Sequence, residues 1–115
     1  MSASADLIQR QLDAYNAQDI EAFMRCYADD AVLAGLNGVV NQEGHEAIRS
    51  RHLALFAEFP QNKAELANRI DLGTTVIDHE RVERAPGGDR FDVAAIYTLR
   101  NGEIARVDFA KAGAV

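Results

Sequence analysis

The chain predicts an α+β fold, with helices in its first half and a mostly antiparallel sheet in its second. Three observations predict it. Up to Phe59 the apolar residues recur at helical spacing. After Pro60 the period changes from 3.6 to two. The later segments are joined at Gly73, "APGGDR" and "RNG", connections short enough for hairpins. At 115 residues the chain can bury one core but not two, so one domain over 1–115 is expected.

The elements follow in order. The sequence predicts Ser4 as the N-cap of a first helix, with Asp6 in its first turn, where the helix dipole favours an acid. Ile8, Leu12 and Tyr15 form its stripe. "NAQD" breaks it, and Asp19 caps a second helix with Ile20, Phe23, Met24 and Tyr27 on one face, ending in "ADD". "AVLAGLNGVV" reads as short strands around glycine turns. A third helix is expected from Gly44 to Phe59, with Ile48, His52, Leu55, Phe56 and Phe59 inward and Pro60 just beyond. Four strands follow, near 63–72, 74–84, 91–99 and 103–111. In the third, Phe91, Val93, Ala95, Tyr97 and Leu99 share a face, and Asp92, Ala94, Ile96, Thr98 and Arg100 share the other.

Composition excludes several functions. A formal charge of -6 with scattered basic residues argues against a nucleic-acid partner and against an anionic membrane surface. Cys26 is the single cysteine, which rules out an intramolecular disulfide and a thiolate metal centre. "MSASADLIQR" has no apolar run, so a secretory signal is not expected and a cytoplasmic location is. Phosphate loop, dinucleotide fingerprint, G-x-S-x-G and H-E-x-x-H are all missing. Neither cofactor nor metal is therefore expected.

The stretch "TTVIDHERVER" concentrates polar chemistry on a strand. Alternation separates Ile77, His79 and Arg81 from Asp78 and Glu80, so the triplet D-H-E cannot converge on one ion. Ile77 marks the first set as the inward one. His79 is then either a hydrogen-bonded core residue or an acid or base near neutral pH. Asp78, Glu80 and Glu83 are expected to pair across strands with Arg69, Arg100 or Arg106, and one of Asp29 and Asp30 to brace the local backbone or pair with Arg49. His52 and Tyr27, polar tips on apolar helix faces, either satisfy one another or a backbone carbonyl, or line a pocket.

Taken together, "YNAQDIEAFMRCYADDAVL", "GHEAIRSRH", "LFAEFP", "VIDHERV" and "AIYTLRNGEIARVDF" resemble SnoaL-like proteins of the nuclear-transport-factor-two and ketosteroid-isomerase superfamily. The likeness spans nearly the whole chain. It implies a cone-shaped α+β barrel, three helices packed on a strongly bent, mixed but mostly antiparallel sheet around a pocket. It also implies a homodimer through the outer sheet face, where Ala94, Ile96 and Thr98 lie. The ketosteroid isomerase mechanism does not carry over: its tyrosine and two aspartates align with Gln11, Gly35 and Ala95.

Two functions are expected from this. The first is an enzyme of lyase or isomerase type on a small, largely apolar, polyketide- or ketone-like molecule. His79 and His52 would be its catalytic residues, and Gln11, Tyr15, Tyr27, Arg81, Tyr97 and Phe109 would hold the substrate. The second is a non-catalytic dimeric module that binds a ligand or a protein.

Overall fold

The computed structural model describes residues 2–115. Its first helix, α1 (Ala3–Ala17), is capped by Ser2 and not by Ser4. The Ser2 hydroxyl accepts the Ala5 N–H at 3.0 Å, whereas the Ser4 hydroxyl donates to Asp71 at 2.8 Å. Leu7, Ile8, Gln11, Leu12 and Ala14 form the buried stripe. Gln18, at φ 55°, closes the helix in the left-handed conformation, and its amide donates to the Phe59 carbonyl at 2.9 Å. Asn16 clamps the same end to the sheet by bonding both the N–H and the C=O of Ala64, at 2.8 and 2.9 Å.

Helix α2 (Ile20–Met24) is capped by Asp19 as expected but is one turn long. Tyr27 and "ADD" therefore belong to strand β1 (Tyr27–Gly35) and not to the helix. Strand pairing overrides helical period here: Tyr27 pairs with Ile104, the Cys26 carbonyl accepts the Ile104 N–H, and Ala28, Ala31 and Leu33 are buried. Asp30 pairs with Arg100 at 2.5 Å, and Arg49 pairs with Glu21. Strand β2 (Val40–Glu43) leads to Gly44, whose φ of +92° suits glycine, and then to α3 (His45–Glu58).

The remaining strands are β3 (Lys63–Asp71), β4 (Thr75–Glu83), β5 (Arg90–Arg100) and β6 (Glu103–Lys111). They form the expected meander. The β5–β6 hairpin turns through Asn101 and Gly102, both at positive φ, the conformation that Asn-Gly favours. The full order is β2-β1-β6-β5-β4-β3, with β1 and β6 parallel and every other pair antiparallel. Irregularities at Leu33/Ala34, Leu66/Asn68 and Thr98/Leu99 bend a sheet that is curved but not closed. The helices cover its concave face, and the main core of Ile8, Phe23, Met24, Ile48, Val76, Ile104 and Val107 lies between.

The faces of β5 are as expected, with Val93, Ala95 and Tyr97 buried. Those of β4 are the reverse. Val76, Asp78, Glu80 and Val82 point into the concave face, and Ile77, His79 and Arg81 lie on the convex one. Two valines in the first set outweigh one isoleucine in the second. The inward Asp78 is made tolerable by Arg69, which donates to both its oxygens at 2.7 and 2.9 Å. No helix among the described residues is long and apolar enough to cross a membrane.

Candidate active site

The concave face of the sheet opens at one end into a cleft of about 590 Å³ between α1, α3 and strands β1, β2, β4, β5 and β6. Apolar walls come from Leu33, Leu55, Val82, Phe91, Val93 and Phe109. Within them sit Tyr15, His52 and Glu80, and Asn41, Gln42 and the charged residues Arg51, Arg84 and Lys111 complete the lining.

His52 is buried on α3, in edge contact with Tyr15 and tilted against Phe23 at 4.5 Å. Its Nδ1–H donates to the Ile48 carbonyl at 2.8 Å, which leaves Nε2 as an acceptor. Burial lowers its pKa to about 4, so the ring is neutral at physiological pH. The Tyr15 hydroxyl accepts from Asn62 Nδ2 at 2.7 Å, and Asn62 Oδ1 accepts from Arg84 at 2.9 Å. That chain occupies a lone pair of the phenol and leaves its proton free to donate. Burial raises the Tyr15 pKa, with Asn62 and Arg84 pulling the other way.

Glu80 is the unusual group. It is buried in the cleft wall, and among the described residues it has neither a hydrogen-bond donor nor an ion-pair partner. Burial, with the Asp78 charge adding and Arg69 opposing, raises its pKa to about 7. An acid that exchanges its proton near neutral pH is suited to general acid–base work.

The family model of the SnoaL-like domain matches residues 8–107. The chain belongs to that family. No curated protein matches the sequence. A cystatin-fold protein of Novosphingobium aromaticivorans shares 36% identity over 96% of this chain and 98% of its own, with a TM-score of 0.88. A candidate polyketide cyclase of Sinorhizobium meliloti is 23% identical over 96% of this chain and 100% of its own, at 0.78. A candidate ketosteroid isomerase of Kribbella flavida is 15% identical over 98% and 80%, at 0.83. At these identities the last two share the fold.

Within this SnoaL-like domain the expected site divides in two. Tyr15, His52 and Phe109 do line the cleft. His79 and Arg81 do not, because the β4 phase turns them outward. The His79 side chain is 44% exposed on the convex face, with Nε2 2.7 Å from Asp92 Oδ2, and Arg81 lies 3.8 Å from both Asp92 and Glu65. His79 is thereby removed as a catalyst for the cleft. Gln11 and Tyr97 are buried against each other, the Tyr97 hydroxyl donating to Gln11 Oε1 at 3.0 Å, and neither borders the cleft. Tyr27 is buried beside Phe23, ring centroids 4.9 Å apart, and is likewise outside the lining.

Sequence reasoning missed Glu80, Asn62 and Arg84. The signal for Glu80 was the alternation of Val76 and Val82 with it. Asn62 and Arg84 carried none, since their roles come from a contact across 22 residues of chain.

Proposed function

We propose that this SnoaL-like domain is an enzyme of isomerase or lyase type that moves a proton on a small ketone- or polyketide-like molecule, with Glu80 as its base. The unpartnered carboxylate of Glu80 in the cleft wall carries the reading. Structural burial of a carboxyl normally comes with a donor or a cation, as at Asp78. Glu80 lacks both and opens onto a space that takes a small molecule.

The chemistry follows from the three groups. With the substrate carbonyl toward the Tyr15 hydroxyl, Glu80 takes the proton from the adjacent carbon. The C–H electron pair moves into the carbon framework, and the carbonyl oxygen gathers negative charge that the Tyr15 O–H bond stabilises. Returning the proton to another carbon completes an isomerisation. Delivering it to a departing hydroxyl completes an elimination. His52, neutral, orients a substrate hydroxyl through Nε2. Ketosteroid isomerases also pair a carboxylate base with a phenol donor. Here both come from other positions, since Gln11, Gly35 and Ala95 occupy those of the isomerase.

The test uses 2-tetralone, an apolar ketone with acidic C–H bonds, in D2O. The protein is expected to accelerate deuterium incorporation measured by NMR, with a rate that rises through about pH 7 as Glu80 ionises. Glu80→Gln should lower the rate by about 10²–10⁴. Exchange no faster than in buffer, or unchanged by Glu80→Gln in a folded protein, would return the domain to the ligand-binding reading.

A further inference from the structure

The cleft mouth is positively charged on a protein that is negative overall. Twelve Lys and Arg residues face eighteen Asp and Glu residues in the sequence. Among the described residues six of the twelve sit in ion pairs, as Arg69 does with Asp78 and Arg90 with Glu83. Arg51, Arg84 and Lys111 belong to no ion pair among the described residues, yet all three line one cleft. Among the described residues Glu80 is the only carboxylate in that lining.

Two of these cations sit against the same ring. The Arg84 guanidinium lies 5.0 Å from the centroid of the Phe91 ring, and the Lys111 ammonium lies 4.1 Å from it. An aromatic ring attracts each cation. Arg84 is also tied back by its bond to Asn62 and by the Phe59 ring at 5.6 Å. A surplus of acids elsewhere on the surface leaves this pair without one.

The register sets the distance to the reactive group. Glu80 pairs with Val93, and Val93 pairs with Lys111, so the three form one row across β4, β5 and β6. Two strand spacings separate the backbones of Glu80 and Lys111 by about 10 Å. Between them the row presents Val93, flanked by Val82 and Phe91 of the neighbouring pair. A flat apolar body fits over that row.

We infer that the cleft takes an organic anion, a small mainly apolar molecule of about two rings whose carboxylate docks at the cationic mouth that Arg84 and Lys111 line. This rests on the cleft being the substrate site, as proposed above, and adds the class of substrate. The ionised group lies at the end of the molecule remote from the carbon that gives its proton to Glu80. A carboxylate next to that carbon would bring two anions together in a buried wall.

Binding of 2-naphthoate against 2-naphthamide tests this by titration calorimetry, the two probes differing in charge and little else. The wild type is expected to bind the naphthoate at least tenfold tighter. Lys111→Gln should reduce naphthoate affinity about fivefold, Lys111→Glu should reduce it further, and the amide should be unaffected by either. Lys111 is exposed near the end of β6, so both variants are expected to fold, and Arg84→Gln gives an independent second measurement. Equal affinity for the two probes, no binding of either, or a naphthoate affinity indifferent to all three substitutions would overturn the inference.

The two readings fail separately. Tetralone is neutral and reports on Glu80 without the cationic mouth. Naphthoate reports on the mouth, and its preference over the amide should survive Glu80→Gln. Exchange without anion preference sinks the present inference alone; anion preference without exchange sinks the catalytic one.

Discussion

At the scale of single residues, Glu80 and His52 set opposite pH dependences on one cleft. The folded pKa of Glu80, about 7, lies above its ordinary 4.5, so the folded state holds a proton that the unfolded chain releases. Its cost is absent below about pH 4.5 and grows to about 3 kcal/mol as pH rises through 7, at ~1.4 kcal/mol per unit. For His52 the folded pKa, about 4, lies below its ordinary 6.5. Its contribution is complete above 6.5 and is lost, again by about 3 kcal/mol, as pH falls through 4. Between about 4.5 and 6.5 the two slopes nearly cancel. Glu80→Gln should expose the His52 slope, with stability dropping on acidification below 6.5. His52→Gln should expose the Glu80 slope, with stability dropping as pH rises from 4.5 to 7. Urea denaturation at a series of pH values measures both. Variants that keep the wild-type pH profile would mean that neither group is buried as described.

The individual elements show what the sequence made legible and what it did not. Helix α3 was readable with His52 inside, because Ile48, Leu55 and Phe56 at helical spacing define one face and His52 falls on it. Strand β5 was readable because five apolar or aromatic residues alternate without a break. In β4 the alternation is equivocal: one face offers Val76 and Val82 with two acids, the other Ile77 with a histidine and an arginine. Charge on a strand argues for solvent until a partner on the next strand is known, and Arg69 is that partner. Tyr27 misled for a related reason, since its pairing with Ile104 lies 77 residues away and leaves no local trace. Asp78 is fully buried, and Arg69 is further held by the Gln9 side chain at 3.0 Å. Asp78→Ala should therefore cost about 3–5 kcal/mol by leaving Arg69 uncompensated. The joint change Arg69→Met with Asp78→Leu should cost far less, because it removes both charges. A single-variant cost near that of a surface substitution, about 0.5 kcal/mol in chemical denaturation, would contradict this account of why β4 faces inward as it does.

For the whole molecule, the reversal of β4 changes what the convex face offers to a second copy. Ile70, Ile77 and Ile96 pair in one row across β3, β4 and β5, and Ala94 pairs with Ala110 beside them. Ile70 alone is 46% exposed. Around the row stand the His79–Asp92 and Arg81–Glu65 pairs on one side and Arg106–Asp108 on the other. An apolar centre with a polar rim is the anatomy of a protein interface, and a two-fold axis through the row would set isoleucines against isoleucines. Light scattering is expected to report a homodimer at micromolar concentration. Ile96→Arg should give a monomer that stays folded, since this side chain points away from the core of Val76, Ile104 and Val107. The cleft lies on the concave side, so the monomeric variant should retain the naphthoate preference of the wild type. A wild-type protein that scatters as a monomer would remove the interface while leaving the cleft and its carboxylate untouched, because the two occupy opposite faces of one sheet.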